Sequence, residues 1–128
     1  MTPDERLALY ARDLAALVSA GDGFVIFNPP HDEDTYVQFS PRGDETLFCE
    51  VSNRSEGWNA HSLDTAQIAE LRALGYDIPS PHHQANPNKE FRGDTADLAQ
   101  EVERIFRNVF RSPEDYSVVS SGVEREGG

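Results

Sequence analysis

Apolar residues recur along this chain with two periods, and the alternation between them sets out the elements. Leu7, Tyr10, Leu14, Leu17 and Val18 fall at helical spacing and form one stripe. Thr2, Pro3 and Glu5 ahead of them spell a capping box, and Gly21 supplies the stop. The period then changes. Phe24 to Asn28 is nearly continuous apolar, which suits a strand covered on both faces. Tyr36 to Ser40 and Thr46 to Val51 alternate, so Val37, Phe39, Leu47, Cys49 and Val51 share one face. The connections, Asn28 to Asp34 and Pro41 to Asp44, are short and rich in turn residues, so the three strands form an antiparallel meander.

Helical spacing returns at Asp64. Asp64 and Gln67 form a second capping box, Leu63 and Ile68 a hydrophobic staple, and Ile68, Leu71 and Leu74 the buried stripe. Gly75 ends this helix, with Tyr76 positioned to fold back on its last turn. Asp77 to Asn88 carries three prolines and two asparagines and cannot be helical. Lys89-Glu90-Phe91-Arg92 reads as a charged edge strand. Asp94 caps a third helix whose face is Leu98, Val102, Ile105, Phe106 and Val109, stopped by Ser112-Pro113. Tyr116 to Val119 is a candidate last strand. The predicted class is α+β: an antiparallel meander packed with three helices, in the order α-β-β-β-α-(β)-α. Residues 1–119 form a single domain, and 120–128 an acidic tail whose Ser, Gly and Glu content predicts disorder.

Charge narrows the range of partners. The formal net charge is −12, with 23 acidic against 11 basic residues. A phosphate backbone is bound by Lys and Arg releasing counterions, so nucleic acid is an unfavourable partner, and anionic membrane surfaces are unfavourable for the same reason. No apolar run approaches the roughly 20 residues that span a bilayer, and the acidic start Met1-Thr2-Pro3-Asp4-Glu5 is unlike a signal peptide. With the single cysteine, Cys49, the expected location is the cytoplasm.

Candidate chemistry is sparse. Cys49 has the inward parity of Leu47 and Val51, which favours packing over nucleophilic use. His31-Asp32-Glu33-Asp34 with His82-His83 offers metal-ligating atoms, and a small metal-dependent hydrolase using His61, His82 and His83 is the enzymatic alternative. Those histidines lie on loops beside prolines, without the fixed helical spacing of zinc sites. No motif implies a cofactor. Strand parity instead sends Tyr36 and Phe48 to the outer face with Gln38, Thr46 and Glu50, and Trp58 and Phe91 are placed to extend that platform. Aromatics in a polar frame are anchors for protein partners. The apolar first strand, were it at an edge, would offer a second route by strand addition.

Several stretches resemble one family: Tyr36-Val37-Gln38-Phe39, Leu47 to Asn53, Leu63 to Gln67, Leu74 to Pro79, Asn86, and Asp94 to Phe110. They are similar to the bacterial YbjN-like and type III secretion chaperone-like domains, called TY-Chap. The resemblance implies a helix–meander–helix–strand–helix fold and a non-enzymatic chaperone-like or adaptor role. It implies a protein client or partner domain held as an extended segment, and a homodimer as a further state. It brings no catalytic residue.

Overall fold

The computed structural model describes residues 1–43, 46–53, 63–79 and 86–125. Helix α1 spans Pro3–Ala20, strands β1, β2 and β3 span Val25–Asn28, Val37–Pro41 and Thr46–Val51, and helix α2 spans Thr65–Ala73. Strand β4 (Asn88–Arg92), helix α3 (Thr95–Arg104, continued by a π-helical stretch Ile105–Val109) and strand β5 (Val119–Ser120) follow. The strands form one five-stranded antiparallel sheet in the order β4-β3-β2-β1-β5.

The helix ends lie where the capping residues set them. Thr2 Oγ1 accepts from the Glu5 amide at 3.1 Å while the Thr2 amide donates to Glu5 Oε1 at 2.9 Å. Asp64 and Gln67 repeat the exchange at 2.8 and 2.9 Å. Gly75, at φ 93°, turns the end of α2 so that its amide reaches Arg72 O and the Tyr76 amide reaches Leu71 O, a Schellman motif. Gln67 also acts across the fold. Its Nε2 donates 2.8 Å to Val109 O and ties the start of α2 to the π-helical end of α3.

The two faces of the sheet differ as alternation requires. Val25, Phe27, Val37, Phe39, Leu47, Cys49 and Val51 are at most 2% exposed and face the helices. Tyr10 of α1 meets Phe27 edge-on with ring centroids 4.9 Å apart, and Phe106 stacks beyond it at 6.3 Å. Their alternates Ile26, Gln38 and Phe48 are only half-buried. Phe24 to Asn28 is therefore not covered equally on both sides, as its continuous apolar run suggests; Val25 and Phe27 are buried and Ile26 is not.

Two expectations about strand edges are corrected. β1 is not at an edge open to strand addition, because β5 lies along it, with Phe27 opposite Ser120 and Asn28 opposite Val119. The chain after Val119, expected as a disordered tail, continues that pairing: Phe24 and Glu124 exchange backbone hydrogen bonds at 2.8 and 2.9 Å, and the Ser121 amide donates to Ile26 O at 2.9 Å. Composition misleads here because the contact is made by the backbone, which covers β1 without burying large side chains. Gly23 is necessary to it. Its φ is 87°, and a Cβ there would stand 2.3 Å from Glu124 O. Residues 126–128 lie outside the described residues.

Arg6 locks the far side of the helical layer. It is fully buried. Nε and Nη2 grip the Glu103 carboxylate of α3, Nη1 donates to Met1 O and Tyr116 O at 2.6 and 2.9 Å, and Nη2 donates to Glu114 O at 2.8 Å. The guanidinium lies 3.9 Å from the Tyr116 ring centroid. Tyr116 in turn donates to Glu103 Oε2 at 2.9 Å and pairs with the Tyr10 hydroxyl at 2.7 Å. Burial, with the Glu103 carboxylate adding to it, holds the Tyr10 hydroxyl well above its ordinary range, so these phenols stay neutral donors. Arg6→Ala removes the guanidinium from three carbonyls and from the Glu103 carboxylate, which keeps the Tyr116 hydroxyl but no cation, and about 3 kcal/mol of stability is lost in urea denaturation. Arg6→Lys recovers less than half, since an ammonium has three donors and no fork. A loss below about 1 kcal/mol in Arg6→Ala removes the network from its structural role.

Candidate functional site

Among the described residues the helices stack on one face of the sheet, and the other face is the candidate site. Its floor is β1 and β2. Ile26 lies opposite Gln38, and Gln38 opposite Glu50, forming one row across three strands. Tyr36 stands at one end of β2, half-buried, its hydroxyl accepting from Asn86 Nδ2 at 3.0 Å. Val119 of β5, 46% exposed, forms the wall on the other side. Ile26, Asn28, Glu33, Tyr36, Gln38, Val119 and Glu124 border a hollow of about 480 Å³. A second hollow of about 420 Å³ continues from Gln38 past Phe24, Ser40 and Pro41 to Arg42 and Arg125.

The four residues expected to form the platform separate. Tyr36 and Phe48 are both on the outer face. They do not touch as one patch, because the Gln38–Glu50 row lies between Tyr36 and the row that pairs Ser40 with Phe48. Phe48 is covered by Arg42, whose guanidinium carbon lies 4.1 Å from the ring centroid. Phe91 is on the opposite face. β4 pairs Phe91 with Leu47, an inward residue, and residues directly opposite share a face. Phe91 therefore packs near Phe39 and Tyr76, with centroids 6.4 and 6.3 Å away, and cannot extend the platform. Trp58 lies outside the described residues, as do His61, His82 and His83 of the hydrolase reading. His31 is exposed in a turn at φ 70°.

Sequence reasoning does not single out Ile26 and Val119 as site residues. The parity of Val25 and Phe27 holds the signal for Ile26. Val119 has none, since its position depends on a two-residue strand.

On the inner side Cys49 is fully buried, and its thiol lies 3.3 Å from the Tyr76 hydroxyl, which donates to Glu101 Oε2 at 3.1 Å. Burial pushes the thiol well above its ordinary range and keeps it protonated. Lys89, paired across from Cys49, donates to Leu74 O at 2.6 Å and Glu101 Oε1 at 3.4 Å. These groups complete the packing of α3 on β3 and β4 and offer no exposed nucleophile.

Residues 4–122 match the family model described as T3SS (YopN, CesT) and YbjN peptide-binding chaperone 3, TY-Chap3. The chain belongs to this family. No curated protein and no solved structure matches it. The three helices and five-stranded antiparallel sheet are the α+β architecture of a chaperone-like TY-Chap domain. The family is described by peptide binding rather than by a reaction. Among the described residues no helix is long and apolar enough to cross a membrane.

The two faces make different demands on their aromatics. Phe91→Ala removes packing from the helix-facing side and costs about 2 kcal/mol in thermal or urea unfolding. Phe48→Ala, on the outer face, costs under about 1 kcal/mol. Equal costs at both positions contradict the assignment of Phe48 to a surface site.

Proposed function

We propose that this TY-Chap3 domain is a non-enzymatic chaperone-like or adaptor module that holds an extended peptide segment of a client protein on the outer face of its sheet. The observation that carries this reading is the groove over β1 and β2. It has an apolar floor of Ile26 with the Tyr36 ring, an exposed Val119 as one wall, and polar groups from Asn28 and Gln38 for orientation. An extended segment presents alternate side chains to such a floor, and its apolar residues gain by leaving water. The acidic surround favours clients with basic residues near the apolar stretch and speeds their encounter. Ile26→Asp and Val119→Asp place a charge on the floor and on the wall, and each weakens peptide capture at least tenfold in fluorescence anisotropy while circular dichroism stays unchanged. Unchanged capture in both removes the groove from the function.

A homodimer is a second reading, favoured by the edge of β4. Asn88 exchanges both backbone hydrogen bonds with Asp77, at 2.8 and 3.1 Å. Alternation then directs the backbone groups of Glu90 and Arg92 away from β3, towards the sheet edge. Two β4 strands paired antiparallel about Phe91 set Glu90 of each against Arg92 of the other. Glu90→Lys makes both pairs repulsive, and light scattering over a concentration series shows weaker self-association; an unchanged mass profile sinks this pairing.

A further inference from the structure

The chain after Val118 lies along β1 as a strap, and it is held there differently from the rest of the sheet. Tyr116 and Val118 are buried, and Arg6 fixes the Tyr116 carbonyl, so the strap leaves from a pinned point. Beyond it little apolar surface is covered. Val119 is 46% exposed, Val123 is partly buried, and Ser121, Glu124 and Arg125 are exposed. The hold on β1 is polar. Phe24 and Glu124 exchange backbone hydrogen bonds, and the Ser121 amide donates to Ile26 O. The Ile26 amide donates to the Ser121 hydroxyl at 2.9 Å, where a regular ladder would offer a carbonyl. Register explains the substitution. Phe27 to Phe24 is three steps on β1, Ser120 to Glu124 is four on the strap, and Gly122 at φ 64° takes up the extra residue as a bulge. One anchor reaches the helices, from Ser120 Oγ to Asp13.

Resting on the peptide-binding reading above, we infer that this strap is a clamp. It opens from β1 about Val118 while the rest of the sheet stays folded, and a peptide in the outer groove holds it closed. Opening is local because a segment with few buried apolar contacts separates at a lower free energy than the whole domain unfolds. The coupling follows from how the groove is made. Val119, Ser121 and Glu124 border the same hollow as Ile26 and Gln38, so one side belongs to the strap and the floor to the sheet. Val119 lies level with Asn28 and Glu124 level with Phe24, so the strap closes that side along the whole of β1. A segment that touches floor and strap together binds the closed form alone, and it shifts the balance toward closure by that difference in affinity.

Strand β1 carries its own control. Its Phe24 and Ile26 amides point at the strap, and alternation points those of Val25 and Phe27 at β2. Native-state hydrogen exchange by NMR on the whole protein reads the four separately. In the free protein Phe24 and Ile26 are about a hundredfold less protected than Val25 and Phe27. Low urea strips protection from Val25 and Phe27 steeply and from Phe24 and Ile26 hardly at all, since opening the strap exposes little surface. Phe91→Ala, at the far edge of the sheet, lowers Val25 and Phe27 about thirtyfold and leaves Phe24 and Ile26 unchanged. The peptide probe is an amidated eight-residue segment with a Leu/Val centre, an arginine at each end and a neutral fluorophore. At ten times its dissociation constant, measured by anisotropy, it raises protection at Phe24 and Ile26 about tenfold. Equal protection and equal urea dependence at all four amides overturn the strap. Bound peptide that leaves Phe24 and Ile26 exchanging as before overturns the clamp while peptide binding stands. If the peptide does not bind, the peptide-binding reading falls and the clamp falls with it.

Discussion

The helical layer depends on one buried cation. Arg6 belongs to α1, its carboxylate partner to α3, and the carbonyls it satisfies to the chain start and to the segment after α3. A guanidinium brought this far from water is tolerable only when each of its five N–H groups finds an acceptor. Here they do, so the arrangement specifies one relative placement of α1 and α3 and rejects neighbouring ones. Apolar contacts between Tyr10, Leu14, Val102 and Phe106 would tolerate sliding; a fork on a carboxylate does not. The same pin fixes Tyr116, from which the chain proceeds to Val119 and Ser120 beside β1. The wall of the outer groove is thus set from the opposite side of the molecule.

Gln67 and Ser120 extend this economy of polar contacts. Gln67 completes the cap of α2 and also holds the last carbonyl of the π-helical stretch after α3. Ser120 reaches Asp13 of α1 at 2.5 Å from the helix-facing side of β5. Each closes a junction where a helix end or a strand edge would otherwise present unpaired backbone or a buried charge. Among the described residues the inner face of β1 and β2 is held differently, by Val and Phe side chains in register, and the outward residues of those strands are left to other uses.

Much of this was legible in the sequence because it is local. Thr2, Asp64, Asp94 and Gly75 announce helix ends through hydrogen bonds to residues a turn away. The inward set of Val37, Phe39, Leu47, Cys49 and Val51 follows from alternation within short strands joined by short turns. Membership of the TY-Chap family was readable from the same stretches. What was not legible depends on register across long connections. Phe91 follows a loop of prolines, asparagines and histidines that sets no parity, so its face is decided only by pairing with Leu47. Val119 and Glu124 join the sheet through backbone groups that every residue carries, and no side-chain pattern marks them. Arg6 reads in sequence as an ordinary helix-surface arginine; its partner Glu103 is 97 residues away.

Strands β1 and β2 assign consecutive residues to separate purposes. Val25, Phe27, Val37 and Phe39 are committed to folding, while Ile26, Gln38 and Ser40 answer only to what lies against the sheet from outside. Substitution at the second set leaves the first undisturbed. A lineage can therefore vary that outer surface one side chain at a time, without passing through an unfolded intermediate sequence.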